Sequence, residues 1–468
     1  MQVQVANHPF LDGHKRTEIA TATGDLMERN IVVIGMGYVG IPAAALLADV
    51  PGHSVIGIQR RSRRSGWKID WINDGKNPFE GDEPGMDELI ARVVLEKKTF
   101  RVTDDFAACK DADVILIDVQ TPTNTERIPE YLSLRTVSAQ AANYLQPGTL
   151  VVIESTVAPG TTEHVVKPIL EEGSSLRAGT DFHLAFSYER VMPGKLLEYI
   201  TDFPRVVGGI DAESTLRAVA LYKTIVRKEI TPASVLTAEL AKTMENAYRD
   251  VNIAFANEMA RTCEAMGVDV YEIRELMNAR HDRHMHLAGA GVGGHCLPKD
   301  PWLLKFGVDT YGEYPVALRM IALAREINDE MPLHLADLTI DALAGQGVEL
   351  DGAKVTVLGV AYLENSDDTR NTPATAVIDA LQEKCASVVA HDPYVRHLDG
   401  YELTRHLDMA LASADAAVVV TKHRQYFDLD LNWLRETMRT PVLIDGRNVF
   451  DATVVREAGF TYRAIGKA

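Results

Sequence analysis

Hydrophobic positions in this chain fall in short unbroken runs between polar, glycine-containing turns. Ile31 to Ile34 is one such run. It is followed by Gly35-Met36-Gly37-Tyr38-Val39-Gly40, a small-residue stretch from Ile41 to Ala48, and a second run from Ser54 to Ile58. Runs this short and continuous suit strands buried on both faces. The pattern repeats at Asp113 to Val119, Leu150 to Ser155, His183 to Phe186 and Arg205 to Gly208. Helical stretches between them predict a doubly wound parallel sheet. From Ala233 the period changes: Leu236, Leu240, Met244, Ala247, Val251, Ala254 and Met259 recur at three-to-four spacing and predict a long helix with an apolar face. A second α/β series starts at Lys354, with strands expected at Val355 to Gly359, Ser387 to Ala390, Ala416 to Val420 and Val442 to Asp445. Gly345 to Gly352 reads as a linker. The expected fold is α/β, two Rossmann-like doubly wound domains joined by a long central helix. Its parts are an N-terminal extension (1–28), a first Rossmann domain (29–232), a central helical domain with a glycine-cysteine loop and a dimer surface (233–344), and a second Rossmann-like domain (345–468).

Composition narrows the partners. A chain of 468 residues is too long for one core. Its net charge of −18 argues against nucleic acid or an anionic membrane as the main partner, while leaving room for a locally basic site. Cys109, Cys263, Cys296 and Cys385 lack CxxC spacing, which fits reduced thiols in a cytoplasmic protein and predicts neither a disulfide frame nor a metal site. No apolar run is long enough to span a bilayer, and the first 28 residues carry no signal-peptide pattern.

Two glycine-rich segments carry the chemistry. In the first, Gly35 permits a tight turn, Gly37 lets backbone N–H groups approach a pyrophosphate, and Gly40 lets helix and strand pack. The positive end of the following helix then faces the phosphates. The second is Gly291-Val292-Gly293-Gly294-His295-Cys296-Leu297-Pro298-Lys299-Asp300-Pro301. It offers a thiol as nucleophile and a carboxylate four residues on, although a turn around an inert buried cysteine has the same composition. Lys242 and Asn246, four apart on the predicted helix, share a face and are both donors.

With these segments go VQTPT (119–123), ESTVAPGTT (154–162), SYERVMPG (187–194), AELAKTMENAYRDVNIAFANE (238–258), NSDDTRNTP (365–373) and DGRN (445–448). In this order they resemble the UDP-glucose/GDP-mannose dehydrogenase family over residues 29 to 455. The resemblance implies oxidation of the C6 hydroxymethyl of a nucleotide sugar to a carboxylate, with two NAD molecules and a cysteine thioester. It implies an N-terminal domain for NAD, a C-terminal domain for the UDP-sugar, and a central helix joining two protomers as a homodimer. His295 and the run Glu189 to Gly194 look like the branch acting on UDP-N-acetylhexosamines. The stretches 75–89 and 361–373 look most like enzymes of UDP-N-acetylmannosamine, with UDP-N-acetylglucosamine and then UDP-glucose as the alternative substrates. A hydroxyacid dehydrogenase would leave Cys296 and the second α/β domain without a role, and a non-catalytic nucleotide-sugar sensor would not need Cys296, Lys242, Asn246 and Asp300 together.

By the same resemblance, Cys296 attacks the aldehyde, Lys242 and Asn246 stabilise developing oxyanions, Asp300 handles water or a proton, and Glu189 acts near thioester hydrolysis. Thr156 orders water at the cofactor boundary, or else caps a turn at a strand end. Cofactor contacts are expected at Gly35, Gly37, Tyr38, Val39, Gly40, Gln59, Arg60, Thr121, Pro122 and Thr156. Substrate contacts are expected at Glu189, Arg190, Val191, Lys242, Asn246, Arg283, Gly291, Gly293, Gly294, Tyr362 and Arg447. Arg283 and Arg447 could instead form structural ion pairs, and for Arg370, after Asp367-Asp368, a salt bridge is as good a reading as a substrate contact. Tyr188 stands where the family usually has proline, and Tyr362-Leu363 where many relatives have Phe-Lys. An acidic residue usually ends the second strand of an NAD site. Here Gln59 is followed by Arg60-Arg61-Ser62-Arg63-Arg64, so an amide bonding the ribose of NAD competes with arginines receiving the 2′-phosphate of NADP. The family pattern favours NAD.

Overall fold

The computed structural model describes residues 28–63, 65–79, 83–385 and 387–467. The N-terminal extension, except for its last residue, lies outside them, as do Arg64 and residues 80–82. The chain folds as two units: residues up to Met244 with Trp302–Val316, and Glu245–Pro301 with Ala317–Ala468.

The first unit is built on eight strands: β1 (Arg29–Ile34), β2 (His53–Ile58), β3 (Phe100–Thr103), β4 (Val114–Ile117), β5 (Leu150–Ile153), β6 (His183–Phe186), β7 (Arg205–Gly209) and β8 (Ile230–Ser234). Their order is β3-β2-β1-β4-β5-β6-β7-β8. β1 pairs parallel with β2 and with β4, so the strand order reverses at β1. Ligands of open α/β sheets bind outside the carboxyl ends of strands at such a reversal. β7 departs from the expected all-parallel arrangement. It runs antiparallel to β6, with Ala185 opposite Gly209 and Phe186 opposite Gly208. The connection 187–204 turns back over the helix Leu196–Asp202 instead of crossing the sheet, and a chain that turns back pairs antiparallel. Apolar side chains of β1, β4 and β5 lie fully buried between helices on both faces, as their unbroken runs require.

The second unit holds β9 (Lys354–Leu358), β10 (Ser387–His391), β11 (Leu403–Thr404), β12 (Ala416–Val419), β13 (Val442–Asp445) and β14 (Thr461–Ala464), in the order β11-β10-β9-β12-β13-β14. All are parallel. Val355, Val357, Val418 and Ile444 pack there with Met331, Leu335 and Leu343 of the helix Arg319–Gly345.

The helix Val235–Met266 begins in the first unit and ends in the second. The predicted apolar stripe is only part of its buried face: Ala247 and Ala254 are buried and Leu240, Val251 and Met259 half-buried. Leu236 and Met244 are exposed, and so are Tyr248 and Phe255, whereas Glu239, Lys242, Thr243, Asp250 and Asn257 are buried. Hydrogen bonding makes this tolerable, because buried polar groups must be paired. In the first unit, Glu239 accepts from the backbone N–H groups of Gly160 (2.6 Å) and Thr162 (2.9 Å). In the second, Asp250 accepts from Arg325 (2.7 Å) and Asn328 (2.8 Å), and Asn257 donates to Asn328 (2.9 Å). Among the described residues, no helix is long and apolar enough to cross a membrane.

Candidate active site

In the first unit the glycine turn follows β1. Gly35 has φ +111°, and a Cβ there would lie 2.2 Å from the carbonyl oxygen of Asp118. A Cβ on Gly40 would lie 1.9 Å from the oxygen of Gly35. Both are glycine because the turn closes on backbone. Gly37 differs: nothing lies within 4 Å of where its Cβ would be. That open space lies just before the helix Gly40–Asp49, whose N-cap, Val39, contributes no side-chain cap. A free helix start with an uncrowded glycine fits a pyrophosphate, so the turn passes the test for a dinucleotide. Tyr38 stacks on Phe79 with centroids 4.8 Å apart.

Gln59 follows β2. Its Oε1 accepts from the backbone of Met36 in the glycine turn (3.2 Å), and its Nε2 donates to Ser65 Oγ (2.9 Å). Arg60 is exposed. Thr121 and Thr156, beyond β4 and β5, are brought together: Thr121 Oγ1 donates to the carbonyl of Thr156 at 2.5 Å. Pro122 is exposed beside them.

Glu189 sits beyond β6. Burial raises its carboxyl above the usual range, and the charge of Lys242 draws it back. Lys242, buried on the long helix, donates Nζ to the carbonyl of Glu189 (2.8 Å) and lies 5.3 Å from the ring centroid of Tyr188. The backbone N–H of Val191 donates to Glu189 Oε2. Arg190 points at protein groups, donating to the carbonyl of Pro204 and the hydroxyl of Tyr188.

Sequence reading missed a buried charge cluster beneath Glu189. Glu154 accepts from Arg205 Nη2 and from Tyr222 OH (2.6 Å), and Arg205 Nε donates to Ser187 Oγ (2.8 Å). Burial, with the carboxylates of Glu154 and Glu189 nearby, holds Asp118 well above the usual carboxylate range. Glu154 stood in a quoted motif. Asp118 and Arg205 lie in strand-like stretches, and no local spacing links the three.

In the second unit, Cys296 is exposed; the other three cysteines are buried. Its carbonyl accepts from the backbone N–H groups of Lys299 (3.1 Å) and Asp300 (2.8 Å), which fixes the cysteine at the start of the helix Asp300–Tyr311. Asp300 is fully buried. Its Oδ2 accepts from Asn246 Nδ2 and its Oδ1 from Lys299 Nζ, both at 2.5 Å. The structure therefore joins two expected residues, Asn246 and Asp300, and adds Lys299, which stood in the motif without a role. His295 is held neutral, its pKa lowered to about 4 by burial and by the charges of Lys299 and Arg370.

The glycines of this loop are crowded. A Cβ on Gly291 would lie 2.8 Å from Pro332, on Gly293 2.6 Å from Tyr362, and on Gly294 2.8 Å from the Tyr362 ring. Arg447 is half-buried: Nη2 donates to the carbonyl of Gly291 (2.9 Å) and Nε to that of Val420 (2.8 Å). Burial lowers its pKa. Arg283 is exposed and ion-paired with Asp282 (2.8 Å). Arg370 forms a salt bridge with Asp368 (2.6 Å), while its carbonyl accepts from the N–H of Gly294 (2.9 Å).

A reversed parallel sheet with an open glycine turn at the reversal defines the first unit as a dinucleotide-binding module, and the second unit presents an exposed thiol beside a buried acid–amide–amine cluster. Residues 29–226 match the UDP-glucose/GDP-mannose dehydrogenase family NAD binding domain, 236–330 its central domain and 356–452 its UDP binding domain. The chain belongs to this family, and its cofactor is NAD. A UDP-N-acetyl-D-mannosamine dehydrogenase of Pyrococcus horikoshii is 37% identical over 93% of this chain and 99% of its own length. The crystal structure of an NDP-N-acetyl-D-galactosaminuronic acid dehydrogenase from Methanosarcina mazei superimposes with a TM-score of 0.83 at 42% identity, covering 96% of this chain and 97% of that one. The structure of UDP-D-ManNAc dehydrogenase from Pyrococcus horikoshii gives 0.85 at 36%, covering 94% and 99%.

Proposed function

We propose that this enzyme oxidises the C6 hydroxymethyl of UDP-N-acetyl-D-mannosamine to the uronate, in two NAD-dependent steps through a thioester on Cys296. The observation that carries the reading is the exposed thiol at the head of a helix whose first residue, Asp300, is buried between Asn246 and Lys299. NAD, when bound, supplies the hydride acceptor for both oxidations. Backbone donors of Gly35 to Gly40 hold its pyrophosphate, with Gln59, Arg60, Thr121, Pro122 and Thr156 along the rest.

The alcohol loses a hydride and a proton to become an aldehyde, with Lys242 and Asn246 stabilising the oxygen as charge develops. The Cys296 sulfur adds to the aldehyde carbon and gives a thiohemiacetal. Loss of a second hydride and a proton leaves the thioester. Water, oriented by Asp300 and Thr156, adds to the thioester carbonyl, Glu189 receives its proton, and the C–S bond breaks to return the thiol. Burial that raises Glu189 suits it to that proton transfer. On the substrate side we assign Arg190, Val191, Arg283, Tyr362 and Arg447; the expected backbone donors Gly291 and Gly294 already donate to the carbonyls of Gly289 and Arg370. Arg447 is supported by its setting: a half-buried guanidinium held by two carbonyls gains from an anionic diphosphate. Exposed Leu236, Met244, Tyr248 and Phe255 on the long helix support a homodimer. The order of the family segments supports the division 29–232, 233–344 and 345–468.

A second reading, an N-acetylgalactosamine-type sugar, is favoured by the name of the Methanosarcina mazei relative. NADH formed per sugar consumed, with product mass analysis, tests both. Two NADH and a uronate from UDP-N-acetylmannosamine support the proposal. The same stoichiometry only from the galacto sugar moves the assignment to it, and one NADH with an aldehyde overturns the thioester route.

A further inference from the structure

We propose that the turn after β2 is a subsite for a 2′-phosphate, so that the enzyme binds NADP as well as NAD. This rests on the dinucleotide reading of the first unit. The residue ending the second strand faces the adenosine ribose, and a carboxylate there bonds the 2′-hydroxyl and repels a 2′-phosphate. Here that residue is Gln59, uncharged. Its side chain is fixed at both ends, Oε1 on the N–H of Met36 (3.2 Å) and Nε2 on Ser65 Oγ (2.9 Å). The amide therefore ties the glycine turn to the turn after β2.

That second turn is organised around hydroxyls. Ser62 Oγ and Ser65 Oγ are 2.9 Å apart, the N–H of Ser65 donates to Ser62 Oγ (3.2 Å), and the N–H of Gly66 donates to the carbonyl of Ser62 (2.8 Å). Arg60 and Arg63 are exposed on the same turn. Arg61 ion-pairs with Asp104 (3.2 Å) and Asp70 (3.6 Å), so one guanidinium is shared by those two carboxylates and offsets part of their charge. Lys68 adds an ammonium, its Nζ donating to the carbonyl of Met36 (3.1 Å). Two hydroxyls, two exposed guanidiniums and an ammonium, with no carboxylate at the strand end, recognise a phosphate dianion. In the proposed complex, Arg60 carries the charge contact and the Ser62 and Ser65 hydroxyls donate to the phosphate oxygens.

Fluorescence titration of the full-length protein with NADH and with NADPH reads the subsite without turnover. The expected result is NADPH binding within about tenfold of NADH. Loss of a charge-assisted contact in Arg60→Ala is expected to lower the NADH-to-NADPH dissociation-constant ratio about tenfold, and the carboxylate of Gln59→Asp to lower it about a hundredfold. Because the readout is a ratio within one protein, a general loss of folding does not imitate it. NADPH binding more than about a hundredfold weaker than NADH in the unaltered protein, or a ratio unmoved by both substitutions, overturns the subsite and leaves NAD binding standing. Failure of both nucleotides to bind overturns the dinucleotide reading itself.

Discussion

The two glycine-rich segments look alike in sequence and are used in opposite ways. Around Gly37 there is empty space, and the neighbouring glycines are needed only to close the turn. Around Gly291, Gly293 and Gly294 the space is filled by Pro332, Pro373, Tyr362 and the backbone of Asn371. One segment keeps room for something that comes and goes. The other is wedged into its own unit, and the residues it delivers are the non-glycines, Cys296 and Asp300. A glycine motif therefore says that backbone comes close to something, and only the surroundings say whether that something is a ligand or the protein.

The largest effect is expected at what the second segment delivers. Cys296→Ser should cut complete turnover by about a thousandfold or more while substrate binding, measured by calorimetry, survives. Unchanged turnover would remove the reason for the segment's rigidity. Next is its anchor. Asp300→Ala leaves Lys299 buried without its carboxylate and should cost about 3–5 kcal/mol in denaturant unfolding, and a loss below about 1 kcal/mol would show that the ion pair is not buried in solution. The glycines themselves give the direct contrast. Gly291→Ala, at φ +108° against Pro332, should lose about 2 kcal/mol of stability. Gly37→Ala should leave stability within about 0.5 kcal/mol and weaken NADH binding about tenfold. Equal behaviour of the two would erase the distinction.

The smallest effect is in pH. His295 is depressed to about 4 from 6.5, so its contribution is present above 6.5 and is lost as pH falls through 4. Glu239 in the first unit is raised to about 7 from 4.5, mainly by burial, so its contribution is present below 4.5 and is lost as pH rises through 7. The differences between wild type and His295→Gln, and between wild type and Glu239→Gln, should slope in opposite directions across pH 4.5–6.5, each by about 1–2 kcal/mol. Parallel slopes in a calorimetric series would contradict one of the two assignments.

What was legible in the sequence follows from burial. The central strands were readable because Ile31–Ile34 and Val114–Ile117 are buried on both faces and so are continuously apolar. The four strands not foreseen, β3, β8, β11 and β14, are the outer strands of the two sheets. In β3, Phe100 and Val102 are buried while Arg101 is exposed, an alternation too brief to stand out. The long helix was foreseen, and Ala247 and Ala254 of its inward face with it, but the polar part of that face was not, because Glu239, Asp250 and Asn257 are buried through partners distant in sequence. The contact between Asn246 and Asp300 closes over 54 positions, and nothing local announces it. Lys299 was hidden differently: a lysine beside an aspartate reads as surface until burial is known.

β8 ends the first sheet and contains Pro232. The N–H of Arg205 donates to the carbonyl of Glu229, which turns the odd-numbered residues of β8 toward β7 and the even-numbered ones outward. The backbone of half-buried Pro232 therefore points away from β7, at the position where another extended chain would look for a donor, and proline has none. The sheet is thus capped against growth at this border, so at high concentration this rim cannot recruit a passing strand into a ribbon.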